Sequence, residues 1–363
     1  MSKHDADKPL AGITILDLTR LLPGPMATMH LADMGATVIK IEDKGAGDYA
    51  RTMSHVRHEL SQLFIAVNRG KSLLQLDLKD PADHAQFLQM VESADVVIEG
   101  FRPGVMDRLG LGWDVLKQIN PRLVMCAISG YGQDGPLALQ AGHDINYIAT
   151  AGMLAQNCDA DGRPVLPNLQ IGDLLGGAQS AVQGLLAALL GARISGHGRF
   201  VDVAMTDGVF AHNIMPLLAV NQNGKTAEPA RDFLTGGLPC YNVYRTSDAR
   251  YMAVGALELK FWQSCCDYLQ RPDLKQHHWS LGQAIGGDDA MAIKAELDAL
   301  FAQRTLQEWT AVFAEADCCV TPILSTEEAI HHPHFIARQM AQQASHPTEG
   351  EYWKTGCPIK FKD

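Results

Sequence analysis

The sequence predicts an α/β protein: a large domain built on a parallel sheet, then a smaller α+β domain. Three observations support this. Through the first third of the chain, short apolar runs rich in β-branched residues alternate with helical patterns, as in a parallel sheet covered on both faces. A polar, turn-rich stretch lies at 221–236, and beyond it come a hairpin and three helical patterns. The 363-residue chain also exceeds the size at which one hydrophobic core usually stops growing.

Taken in order, ITILDLT (13–19) is a strand, LLPGPMATMHLADMGA enters a helix through Pro25, and TVIKIED (37–43) is the next strand. SLLQLDL (72–78), ADVVIEGF (94–101) and LVMCAISGYG (123–132) read as three more, with helices at 81–92 and 113–119 between them. This topology is Rossmann-like. The dinucleotide fingerprint G-x-G-x-x-G is nevertheless missing after the first strand, where PGP stands, and no P-loop occurs. Nicotinamide and nucleotide-triphosphate chemistry are thereby disfavoured. From Leu174 onward, Leu175, Ala178, Val182, Leu185, Leu186 and Leu189 fall at helical spacing until ISGHG (194–198), and RFVDVAMTDGVFAHNIM adds a strand and a helix. YNVYRTSDARYMAVGA (241–256) is a hairpin about the turn SDAR, with helices at 260–269, 290–303 and 306–316. The tail suggests no further helix. The expected division is 1–220 for the large domain, 221–330 for the small one, and 331–363 for a segment returning to the large domain.

A net charge of −11, with no Lys/Arg cluster, argues against a nucleic-acid surface. Eight cysteines without a CxxC, most of them in apolar runs, read as reduced thiols of a cytoplasmic protein. The polar start MSKHDADKPLAG lacks the apolar core of a secretion signal, and no stretch reaches the ~18 apolar residues of a membrane span. HHPH (331–334) lacks i, i+4 spacing among its histidines and has no Cys nearby, so it is read as a loop and no metal site is expected.

The chemistry-bearing residues lie in two stretches. AGHDINYIATAG (141–152) places His143 beside Asp144 where an apolar segment begins, and LQIGDLLGGAQSA places Asp173 at the head of the long apolar helix. A structural histidine and an N-cap aspartate are the ordinary readings. Together, the two also suit an acid/base pair working on opposite faces of a carbon acid, which removal and return of a proton α to a carbonyl requires. Gly176 and Gly177 would let a ligand approach the backbone. Glu258, in the apolar VGALELKFW, reads as a buried carboxylate needing a partner, for which a histidine is the obvious candidate, or else as an exposed cap.

The chain resembles the class III CoA-transferase superfamily over almost its whole length, and within it the α-methylacyl-CoA racemases. The resemblance rests on LAGITILDLTRLLPGPMATMHLADMGATVIKIE, NRGKSLLQLDLK, ADVVIEGFRPGVMDRLGLG, INPRLVMCAISGYGQDGP, AGHDINYIATAG, GRFVDVAMTDG, YRTSDARYMAVGALE and DCCVTPIL. It implies a Rossmann-like large domain, a small domain, and an interlocked homodimer in which each site draws on both chains. His143 and Asp173 match the racemase acid/base pair, and Glu258 the carboxylate supporting the histidine. Leu76, Asp77, Leu78 and Lys79, then Phe101 and Arg108, then Gly142, Asp144, Ile145, Asn146 and Tyr147 match acyl-CoA-binding positions. CoA enters as part of the substrate, with no other cofactor. Backbone N–H groups at the start of the helix after Asp173 would face the developing oxyanion. After VIKIE, Asp43 stands where the family usually has a CoA-binding arginine, leaving Lys44 or Arg51 as substitutes. The C-terminus also stops short of the family's usual last helix. In the transferases of this superfamily the matching aspartate is instead an acyl-accepting nucleophile, so CoA transfer is the alternative activity.

Overall fold

A computed structural model describes residues 8–159 and 161–362. Six parallel strands form one sheet in the order β3-β2-β1-β4-β5-β6: β1 (Thr14–Asp17), β2 (Thr37–Glu42), β3 (Ser72–Gln75), β4 (Val96–Glu99), β5 (Val124–Ser129) and β6 (Phe200–Ala204). The side-chain period of two explains why these strands read as unbroken apolar runs. Ile13, Ile15, Val38, Val96, Ile98, Val124 and Cys126 enter one core, and Leu16, Leu18, Ile41, Val97 and Met125 enter the other. The first core is covered by the helices Pro23–Asp33 and Ser180–Ser195, the second by Pro81–Val91 and Trp113–Ile119.

The long apolar helix departs from expectation. It opens with a π-helical stretch, Gly172–Gln179, that runs on into Ser180–Ser195. By length and composition alone the joined helix could cross a bilayer. Ala181, Val182, Leu185, Ala188, Leu189 and Ala192 instead pack it into the core of the sheet. Gly176 and Gly177 serve helix packing: a Cβ at 176 would lie 2.2 Å from the Met205 carbonyl oxygen, and one at 177 would lie 2.9 Å from Pro23 Cβ. Ligand access is not what those two glycines provide.

Two compact units emerge. The first takes in the described residues up to Leu154, Leu166–Ile214 and the chain from Pro333 onward; the second takes in Ala155–Val165 and Met215–His332. The excursion 155–165 thus leaves the large unit, and the helix Ile214–Asn223 runs across position 220. In the second unit, β7 (Tyr241–Arg245) and β8 (Tyr251–Gly255) form the hairpin, and β9 (Val320–Pro322) adds an antiparallel edge strand from DCCVTPIL. Its core is substantial, with Tyr244, Trp262, Phe301 and Trp309 buried. Trp262 Nε1 donates to the Leu274 carbonyl and Trp309 Nε1 to that of Phe301.

The tail is more regular than its sequence suggested. HHPH runs into a short helix, Pro333–Ala337, and a second hairpin follows, β10 (Ala341–His346) and β11 (Gly350–Thr355). Glu349, in its turn, is fully buried: its carboxylate accepts the backbone N–H groups of His58, Glu59 and Leu60. Arg57 Nη1 donates to the carbonyls of Glu349 and Glu351. Burial opposes ionisation of Glu349, yet the three N–H donors hold its carboxyl at about 2.

Candidate functional site

Two groups of side chains gather at the carboxyl ends of the strands, where open α/β sheets bind ligands. Near β5, His143 precedes the helix Asp144–Thr150 as its N-cap residue, and the Asn146 side chain accepts the His143 backbone N–H at 3.0 Å. The imidazole is exposed. The Tyr147 hydroxyl donates to the Gly142 carbonyl at 2.5 Å, and the Tyr147 ring lies close to Gly130, just past β5.

Asp144 ties this helix to Asp173. Its Oδ1 accepts the Asp173 backbone N–H at 3.0 Å, joining the first turn of the HDINY helix to that of the π-helical stretch. Glycine is needed at 172 because a Cβ there would sit 3.0 Å from the same carboxylate oxygen and 3.3 Å from Tyr147 Cβ. Burial, and then the neighbouring Asp144 charge, push the Asp173 carboxyl up to about 7. A carboxyl there exchanges a proton near neutrality, as general acid/base work demands. Tyr147 is pushed to about 12 by burial and then by Asp173, so it stays a phenol.

Two local expectations are corrected here. Asp173 is not an N-cap: Ile171 holds that position, and Asp173 lies inside the first π-helical turn, a geometry frequent at functional sites. The backbone N–H groups of Asp173 and Leu174 also do not face a ligand. The first bonds Asp144 and the second the Gln170 carbonyl at 2.8 Å, so neither is available as an oxyanion donor.

The second group lines a cleft of about 420 Å³ at the carboxyl ends of β1, β2 and β3 and beyond β4. Leu76, Asp77, Leu78, Lys79 and Phe101 all border it. Arg108 ends the short helix Val105–Arg108, whose Val105 lines the cleft, but Arg108 itself is not in the lining. The Asp77 N–H is bonded to Asp83 Oδ2 at 2.7 Å, and the Phe101 N–H to Glu99 Oε2 at 2.6 Å. Glu99 is itself driven to about 8 by burial, with Asp107 and Asp202 adding to the shift. With strands ~4.8 Å apart, β2 and β5 are separated by three steps, about 14 Å, within the reach of an extended acyl-CoA.

Glu258 lies in the other unit. It is exposed, as the N-cap residue of the helix Leu259–Tyr268, and makes no side-chain cap bond. Of the two readings its sequence allowed, the exposed cap is the one found in this chain, because the chain turns from strand to helix there. Among the described residues no cluster of three His, Cys, Asp or Glu side chains is arranged to hold a metal.

A family model described as CoA-transferase family III matches residues 10–363. The chain belongs to that family. It is 35% identical to human alpha-methylacyl-CoA racemase over 325 residues, covering 90% of this chain and 80% of the racemase. It is equally 35% identical to acetyl-CoA:oxalate CoA-transferase of Acetobacter aceti over 362 residues, covering 97% and 89%. Rv3272 of Mycobacterium tuberculosis superposes with a TM-score of 0.82 at 28% identity, covering 98% of this chain and 93% of that one. As a class III CoA-transferase family enzyme, the chain has a family whose members include both racemases and transferases.

Sequence reasoning missed Arg20 in this family member. Arg20 lines the cleft immediately after β1 and pairs there with Asp43 at 2.8 Å; of the two expected substitutes, Lys44 lines the same cleft and Arg51 does not. Lys44 pairs with Asp83 at 2.6 Å, and Arg51 pairs with Glu42 at 2.7 Å while stacking over Phe64. The signal was its position, the third residue after a strand that ends at the ligand-binding edge.

Proposed function

We propose that this enzyme interconverts the epimers of 2-methylacyl-CoA thioesters by 1,1-proton transfer through an enolate, with His143 and Asp173 as the two acid/base groups. The observation that carries the reading is the coupling of the HDINY helix to Asp173 through Asp144, with the Asp173 carboxyl near neutrality. One group removes the α-proton and the other returns a proton to the opposite face; either begins, so both epimers are substrates. The chemistry is proton transfer alone, and CoA enters only as part of the substrate. Glu258 would support His143 from the partner subunit of a homodimer. Leu190, Ile194 and Phe210 of the first unit, exposed at 61%, 79% and 61%, are the surface such a dimer would cover. A folded monomer in sedimentation at micromolar concentration would exclude that arrangement. The eight free thiols suit a cytoplasmic setting.

CoA transfer through an acyl anhydride on Asp173 is the second reading, favoured by the equal identity to the oxalate transferase. The pH profile separates the two. A racemase pair works only while it holds one proton between its members, so kcat/KM should be bell-shaped and identical for the two epimers, its pKa values belonging to the pair. A nucleophilic Asp173 needs only to be ionised, so transfer should rise with pH through about 7 and then level off. A plateau in place of the alkaline limb would reject the racemase reading.

A further inference from the structure

The cleft beside β1 and β2 is lined by three cations, Arg20, Lys44 and Lys79, that proton transfer at His143 and Asp173 does not use. Arg20 reaches into it with its guanidinium 5.8 Å from the Phe101 ring centroid and 5.4 Å from that of Tyr49. Nη2 donates to Asp43 Oδ2 at 2.8 Å, and Nη1 makes a longer contact of 3.4 Å to the Tyr49 hydroxyl. Nε makes no hydrogen bond among the described residues. The side chain remains 29% exposed, and so faces the solvent-filled cleft.

The backbone bearing Arg20 is held from both sides by buried charge. On one side, Lys40 Nζ donates to the Thr19 carbonyl at 2.8 Å. On the other, Asp48 Oδ1 accepts the Leu21 N–H at 3.0 Å. Lys40 and Asp48 are themselves paired at 2.8 Å with both side chains fully buried. Leu21 sits at φ 64, a left-handed conformation that non-glycine residues adopt only when their surroundings enforce it. The result is a fixed presentation of Arg20 at the ligand edge of the sheet.

We infer that Arg20 is a phosphate-binding residue for the CoA nucleotide in this enzyme, beside Lys79 in the same cleft, taking over from the arginine absent after VIKIE, with Asp43 as the carboxylate that orients it. The inference rests on the acyl-CoA reading of the site. A guanidinium suits this role because its fork offers two parallel donors to a phosphate and it stays charged at any working pH. Asp43 is anchored for its part, accepting the Gly45 and Gly47 N–H groups at 2.9 and 3.2 Å. It therefore holds one guanidinium nitrogen in place while the rest of the group faces the cleft. The family's arginine would stand at the end of β2; here the end of β2 supplies the anion and the end of β1 the cation. The apolar floor of Leu18, Ile41 and Phe101 next to Arg20 suits a base stacked beside its phosphate.

The test is calorimetric titration of CoA and of dephospho-CoA, which lacks the 3′-phosphate, into the wild type and into Arg20→Gln, Arg20→Lys, Lys44→Gln and Arg51→Gln. Arg20→Gln should raise the Kd for CoA about tenfold or more, the loss expected of a charge-assisted pair, and Arg20→Lys should recover part of it. Lys44→Gln and Arg51→Gln should each cost less than Arg20→Gln. If Arg20→Gln spares dephospho-CoA binding, the contact is to the 3′-phosphate; if it weakens both ligands equally, the contact is to the diphosphate. Binding of CoA by Arg20→Gln as tightly as by the wild type overturns the assignment while leaving the acyl-CoA reading intact. Failure of Arg20→Lys to bind better than Arg20→Gln, both variants melting as the wild type does, also overturns it. A wild-type enzyme that binds no CoA removes the acyl-CoA reading itself.

Discussion

Replacing Asp173 by Asn, or His143 by Ala, is expected to reduce epimerisation of a 2-methylacyl-CoA by at least the ~10²–10⁴ attributed to a positioned general acid or base. The two losses should not be equivalent in kind. In His143→Ala, Asp173 keeps its raised pKa of about 7 and can still take the α-proton from its own face. That variant should therefore exchange the proton of one epimer slowly without inverting it. Asp173→Asn keeps the backbone N–H that bonds Asp144, so the turn is preserved while the ionisable group is lost. For a CoA-transferase the pattern differs: Asp173→Asn abolishes transfer to free carboxylic acids, and His143→Ala leaves much of it, because only the aspartate forms the covalent intermediate. Parallel assays of epimerisation and of CoA transfer in the two variants therefore distinguish the activities.

The second large effect is expected at Lys71. Lys71 Nζ lies 3.1 Å from Asp17 Oδ2, both side chains are fully buried, and Asp17 also accepts the Thr28 hydroxyl at 2.6 Å and the Thr19 N–H at 2.9 Å. Removing one partner of a buried pair leaves an uncompensated charge, at a cost of about 3–5 kcal/mol. Lys71→Met should lower unfolding stability by that order in denaturant titration, although the methionine fills similar space. The pair also sets an acid limit. Burial alone would raise the Asp17 pKa, but Lys71, Lys40 and the two threonine hydroxyls hold it at about 2, below its ordinary 3.8. A depressed carboxyl contributes stability that is present above pH ~4 and lost as pH falls toward 2. In Lys71→Met that acid-dependent loss should shrink, because much of the depression has already gone.

Much of this architecture could be read before the fold was known. Runs such as VIKIE and VVIE stand out because strands of a parallel sheet are buried on both faces, and their alternate residues feed the two cores seen here. The C-terminal hairpin left no such trace, since AQQASH and EYWKT are largely polar or exposed on both faces and Glu349 holds them through hydrogen bonds. The π-helical opening at Gly172–Gln179 was invisible because its apolar spacing differs little from that of an α-helix. At the site, His143, Asp144 and Asp173 could be singled out by type and setting, but the bond from the Asp173 N–H to Asp144 could not, since it spans 29 residues of sequence. Glu258 was left open between burial and an exposed cap because its apolar neighbours and its place at a strand-to-helix turn point opposite ways; the turn decides it. Arg20 was overlooked because it falls between ITILDLT, read as a strand, and LLPGP, read as the entry to a helix.

Proton exchange between the pair His143 and Asp173 and the α-carbon of an acyl-CoA is tested most directly with the wild-type enzyme. One epimer of a 2-methylacyl-CoA is incubated with it in D2O, the α-position being followed by NMR or mass spectrometry and the configuration by chiral analysis. Deuterium should enter at the α-carbon at a rate comparable with epimerisation, and both epimers should be labelled when equilibrium is reached. Turnover of acyl-CoA with a free acid acceptor, leaving the α-hydrogen unlabelled and its configuration retained, would contradict the proton-transfer reading.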